Sequence, residues 1–105
     1  MTYCIINSTA PNKEEAVKIS KYLVENKLIA CCNIIENITS VYYWGGNLNI
    51  DNEVLMIMKT KTELYDKVEK EIKKMHGYDV PEIVCTPLIS GNKDYLNWID
   101  EQTRG

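Results

Sequence analysis

The sequence predicts an α+β fold: a ferredoxin-like split β-α-β sandwich in the order βαββαβ, with an added C-terminal helix and a long hairpin between the second and third strands. Three observations carry this. Helical and strand periodicities alternate along the chain. The two central strand runs are parted only by Gly45-Gly46. Two right-handed β-α-β halves joined by a hairpin connect that order without a crossing. The length of 105 residues sets the expectation of a single domain over 1–105, since domains most often run about 100–150 residues.

Tyr3 to Ser8 is short and rich in strand formers. In Pro11-Asn12-Lys13-Glu14-Glu15, Asn12 is placed to cap a helix and Glu15 completes the capping-box spacing. Ala16, Ile19, Leu23 and Val24 follow at helical spacing, which predicts a first helix over about residues 12–27. From Ala30 to Trp44 the residues are β-branched or aromatic in most positions, with Ile34, Ile35, Ile38, Val41, Tyr42 and Tyr43 prominent. Gly45-Gly46 supplies the positive φ that a two-residue hairpin turn needs. Leu48 to Thr60 is the returning strand, and the turn sets Tyr43 opposite Leu48 and Val41 opposite Ile50. The second helix starts near Thr62, buries Leu64, Val68, Ile72 and Met75, and meets a stop at Gly77. Glu82 to Leu88 is a fourth strand, with Pro87 marking an edge or an end. Asn92 caps a last helix that carries Leu96 and Ile99.

One element is too long for a lone chain of this size. Ala30 to Trp44 spans 15 residues, or about 50 Å at ~3.4 Å each, against a radius of gyration of ~13 Å for a compact domain of about 100 residues. The hairpin must bend or project, and Glu36-Asn37 is the natural bend because Asn tolerates left-handed geometry. A projecting hairpin with apolar pairs needs another surface to cover it, which predicts an oligomer.

Composition removes several functions. With 12 basic and 15 acidic residues the net charge is −3, the wrong sign for nucleic acid. Arg104 is the only arginine and His76 the only histidine, so neither an arginine clamp on phosphate nor a multi-histidine zinc site is expected. No apolar run approaches the ~20 residues of a membrane helix. Met1 to Asn7 carries no basic segment and does not read as a signal peptide. Cys4, Cys31, Cys32 and Cys85 form no C-x-x-C pair, and the expectation is reduced thiols in a cytoplasmic protein.

Five motifs stand in order: Leu28-Ile29-Ala30-Cys31-Cys32-Asn33-Ile34, Ser40-Val41-Tyr42-Tyr43-Trp44, Glu53 to Thr60, His76-Gly77-Tyr78-Asp79-Val80-Pro81-Glu82-Ile83, and Gly91-Asn92 with Tyr95-Leu96-Asn97-Trp98-Ile99. Together they resemble the CutA family of divalent-cation tolerance proteins, from about Thr9 to Ile99. The resemblance implies a ferredoxin-like fold, a homotrimer built through the long hairpins, and a link to copper or another divalent cation. It also implies that the residues matching Trp44, Lys59, Tyr78, Glu82 and Trp98 lie around clefts between subunits. Ser8 and Met75 stand where some members carry Cys and His.

His76, at the end of the second helix, reads either as a metal ligand or as a side chain favoured by the helix dipole. Cys31 offers a soft thiolate for copper or simply packs in a strand. Glu82 adds a carboxylate, either to a metal or to an ion pair with Lys59. His76, Cys31 and Glu82 are therefore the candidate metal ligands, and Trp44, Lys59, Tyr78 and Trp98 the candidate cleft residues. Rival readings lack their residues. The loop after the first strand, Ser8-Thr9-Ala10-Pro11, has neither the M-x-C-x-x-C of ferredoxin-like copper chaperones nor the arginine of acylphosphatases. An RNA-binding sheet needs exposed aromatics on central strands, where Ile5, Ile57 and Cys85 are expected. His76 has no evident nucleophile partner, so an enzyme is not expected. The function expected is trimeric divalent-cation tolerance; the alternative is a non-enzymatic trimeric scaffold or signalling module that binds a small molecule or a partner protein.

Overall fold

Alternation along the first strand sets up the layers. In the computed structural model, which describes residues 2–105, β1 spans Tyr3–Ala10; Cys4, Ile6, Ser8 and Ala10 are buried, while Ile5 and Asn7 are half-buried on the other face. Met1, where the N-terminal reading starts, lies outside the described residues. The buried face receives two helices. α1 (Lys13–Glu25) contributes Ala16, Ile19 and Leu23, and α2 (Tyr65–Met75) contributes Val68 and Ile72. They pack on Val54, Met56 and Met58 of β3, which spans Asn47–Lys61. Each buried Val, Leu, Ile or Met among them contributes about 1.5–3 kcal/mol by leaving water. β2 (Cys31–Trp44), β4 (Ile83–Pro87) and α3 (Lys93–Gln102) complete the fold.

The sheet is antiparallel in the order β2-β3-β1-β4, the ferredoxin-like arrangement that the sequence predicts. β4 is an edge strand, as Pro87 suggests, so Cys85 is not on a central strand as expected. α3 packs on the face away from α1 and α2, where Tyr95 reaches Cys31 and Asp100 meets Lys61.

The capping signals hold. The Asn12 side chain accepts from the Glu15 amide at 2.8 Å, and the Asn92 side chain accepts from the Tyr95 amide at the same distance. Several boundaries move. β1 runs two positions past Ser8 because Thr9 and Ala10 pair with Leu55 and Val54. α1 ends at Glu25, and Val24 faces solvent instead of the core. Thr62–Leu64 form a 3₁₀ turn before α2. Gly77 is not a left-handed helix stop: α2 ends because His76 turns to an extended conformation, φ −80° and ψ 141°.

The hairpin is as long as predicted and bends where predicted. The β2–β3 ladder slips between Ile35 and Ile38, with Asn37 at φ 61°. Beyond the bulge, Ile38–Trp44 pair only with Asn47–Glu53, because β1 ends opposite Val54. Tyr43 faces Leu48 and Val41 faces Ile50, and all four are 58% to 75% exposed. The molecule accordingly measures 45 × 25 × 22 Å, with a radius of gyration of 14.3 Å.

Candidate functional site

Where the hairpin leaves the sheet, the segment after α2 folds back beside it, and between them lies an open-sided cavity of about 660 Å³. The β2 side provides Tyr42 and Trp44, β3 provides Glu53, and the segment after α2 provides Tyr78, Asp79 and Glu82. Among the described residues, Glu53, Asp79 and Glu82 are the only charged side chains on this lining. A cavity with carboxylates and no ammonium or guanidinium attracts cations and repels anions.

Glu53 anchors the site. It follows the bulge, pairs with Ile38, and is only 8% exposed. A carboxylate so placed needs a donor, and the Tyr78 hydroxyl supplies it at 2.8 Å. Burial first, and then this bond to Glu53, push the Tyr78 phenol well above its ordinary pKa. On the hairpin itself the Tyr42 hydroxyl donates to Asp51, which likewise raises the Tyr42 pKa.

His76 stands directly before this segment and fixes it. Its Nε2 lies 2.6 Å from the Thr9 carbonyl, and its Nδ1 accepts from the Tyr78 amide at 3.1 Å. An accepting Nδ1 carries no proton, so Nε2–H must be the donor, and the ring is held as one neutral tautomer. The ring also packs on Tyr78, with centroids 4.6 Å apart. The histidine thus ties the end of α2 to the end of β1 and aims Tyr78 at Glu53.

The expected site residues fall into two groups. Trp44, Tyr78 and Glu82 line the cavity, with His76 adjoining it. Cys31, Lys59 and Trp98 gather elsewhere. Lys59 sits opposite Cys31 and donates to the Asn33 side chain, and among the described residues of one chain it makes no ion pair with Glu82. The Cys31 thiol lies 3.5 Å from the Tyr95 hydroxyl, and Tyr95 stacks on Trp98 at 5.6 Å. Leu55, opposite Thr9, and Lys59, opposite Cys31, are four positions apart on β3, which is about 13 Å of strand. Within one chain Cys31 and His76 are therefore not neighbours. Among the described residues, no three His, Cys, Asp or Glu side chains converge closely enough to form a ready metal centre. Met75 packs against the core. Ser8 is fully buried, with no partner for its hydroxyl among the described residues.

Sequence reasoning missed Glu53 and Asp79. A charged residue directly before the buried run Val54–Met58 was the available signal for Glu53; nothing in the local pattern marked Asp79.

The model of the CutA1 divalent ion tolerance protein family matches residues 4–102. The chain belongs to the CutA family. The divalent-cation tolerance protein CutA of Thermus thermophilus is 42% identical over 99 residues, covering 94% of this chain and 96% of that protein. The chloroplastic CutA 1 protein of Oryza sativa is 40% identical over 100 residues, which is 95% of this chain but 56% of that longer protein. A solved structure, described as the periplasmic divalent cation tolerance protein CutA of Archaeoglobus fulgidus, superposes with a TM-score of 0.95 at 42% identity, over 97% of this chain and 99% of that one. The CutA family is named for ion tolerance and not for a reaction. Among the described residues, no helix is long and apolar enough to cross a membrane.

Proposed function

We propose that this CutA-family chain acts in divalent-cation tolerance as a cytoplasmic homotrimer that holds copper, in preference to other divalent ions, in the acidic cavity at the hairpin base. The observation that carries the reading is the charge pattern of that cavity: Glu53, Asp79 and Glu82 without a basic side chain. Copper preference follows from the general affinity order for nitrogen and oxygen donors. The trimer reading rests on the hairpin, whose exposed apolar pairs require cover. A copy seated there would also close the open side of the cavity. Glu82 is the primary ligand. His76 joins only by releasing the Thr9 carbonyl, and Cys31 only if another copy brings it near.

The test is a calorimetric titration of metal-free protein with Cu²⁺ and with Zn²⁺. One copper per chain is expected, bound more tightly than zinc. Glu82→Gln should weaken copper roughly tenfold, about 1.4 kcal/mol, with the oligomer intact. Copper affinity unchanged by Glu82→Gln overturns the assignment of the site.

A further inference from the structure

The end of the molecule away from the hairpin carries a second cleft, of about 430 Å³. It opens between the turn after α1, the 3₁₀ turn before α2 and the end of α3. Lys27, Lys61, Lys67 and Arg104 line it, with Glu63 as the one acidic side chain. Four cations on one lining stand out in a chain of net charge −3. We propose that this cleft binds a phosphorylated small molecule through its phosphate or polyphosphate group.

Two features of the cleft support a built anion site. The first is Lys61, which is only 7% exposed. Its ammonium donates to Asp100 Oδ1 at 3.0 Å, but Asp100 is shared: Arg104 donates to Oδ2 from Nε at 3.0 Å and from Nη2 at 2.8 Å. One carboxylate thus serves two cations, one of them buried, and positive charge is left uncompensated. Lys27 and Lys67, on the same lining, join none of the ion pairs among the described residues.

The second feature is the backbone at Lys27. The Lys27 amide donates to the Val24 carbonyl and the Leu28 amide to the Leu23 carbonyl, both at 3.0 Å. That is a Schellman closure, whose left-handed position usually holds glycine. Here it holds Lys27 at φ 58°. A lysine carries strain there that glycine would relieve, and in return the fold sets an ammonium on the cleft. The unpaired Lys27 and Lys67 ammonium groups, with Lys61 and Arg104 sharing Asp100 beside them, suit a tetrahedral group with several negative oxygens better than a single carboxylate. This inference does not depend on the cation cavity, which lies at the other end of the molecule.

The experiment titrates chelator-treated protein with pyrophosphate, so that no bound cation recruits the anion, and follows heat and backbone amide shifts. Saturable binding is expected, with shifts at Lys27, Leu28, Glu63 and Leu64. The pair Lys27→Gly with Lys67→Gln should weaken it roughly tenfold. The pair Lys18→Gln with Lys93→Gln removes the same charge elsewhere and should change it less than about twofold. Lys27→Gly alone should raise the Tm while lowering affinity. The proposal is overturned by non-saturable binding, by equal weakening in the two pairs, by Lys27→Gly leaving affinity unchanged, or by citrate binding as tightly as pyrophosphate.

Discussion

At His76, one ring bonds at both nitrogens, to the Thr9 carbonyl and to the Tyr78 amide. ¹⁵N NMR should show a neutral Nε2–H tautomer, and His76→Ala should cost about 1–3 kcal/mol in urea unfolding through the lost bonds; an averaged tautomer would argue against the brace. Tyr78→Phe should cost a similar ~1–3 kcal/mol, because it leaves the Glu53 carboxylate buried without its donor. Ser8→Ala should instead be neutral or stabilising, by on the order of 1 kcal/mol, since the Ser8 hydroxyl is buried without a partner. The phenols give a pH dependence. Tyr78 is raised by burial and then by Glu53, and Tyr65 is pushed up to about 12 by burial and then by Glu69. A folded-state pKa above the unfolded value makes the folded chain bind more protons between the two values. Stability is therefore full below about pH 10 and falls as pH rises through 10 toward 12. Urea midpoints measured from pH 8 to 11.5 should show that decline, and Tyr78→Phe should flatten it. The family resemblance grouped Trp44, Lys59, Tyr78, Glu82 and Trp98 around clefts between subunits; within one chain Trp44, Tyr78 and Glu82 share the cavity, while Lys59 and Trp98 lie off it. The sequence could not show the brace on His76, whose partner is a backbone carbonyl 67 positions away.

The elements were legible where a local rule decides them. Asn12 and Asn92 cap their helices, Gly45 and Gly46 take φ 62° and 78°, and Pro87 marks an edge, all through chemistry carried by a few neighbouring residues. The ends set by tertiary contacts were not legible. Val24 keeps helical spacing but points to solvent, and α2 stops at an extended His76 whatever Gly77 allows. The bend at Asn37 belongs to the first kind and offers a test. Asn37→Gly should preserve or slightly raise stability, whereas Asn37→Val, at φ 61°, should cost about 1–2 kcal/mol. Equal thermal midpoints for the two variants would show that the bulge does not need left-handed geometry.

For the whole molecule, the hairpin decides the form. Val41, Tyr43, Leu48 and Ile50 are paired across the hairpin yet open to water in one chain. Strand length against domain size made that projection readable from sequence, and the count of three came only with the family resemblance. Light scattering should give three times the chain mass of 12.1 kDa, with a Tm that rises with protein concentration as linked assembly requires. Ile50→Asp should dissociate or unfold the assembly, because it places an unpaired charge on the face that a trimer would cover. Anomalous diffraction at the copper edge, from crystals soaked with Cu²⁺, locates the ion that the acidic cavity at the hairpin base is proposed to hold. A peak is expected within bonding distance of the Glu82 carboxylate, among Glu53, Asp79 and Glu82. Copper on Cys31 or Cys85, with that cavity empty, would contradict the proposal.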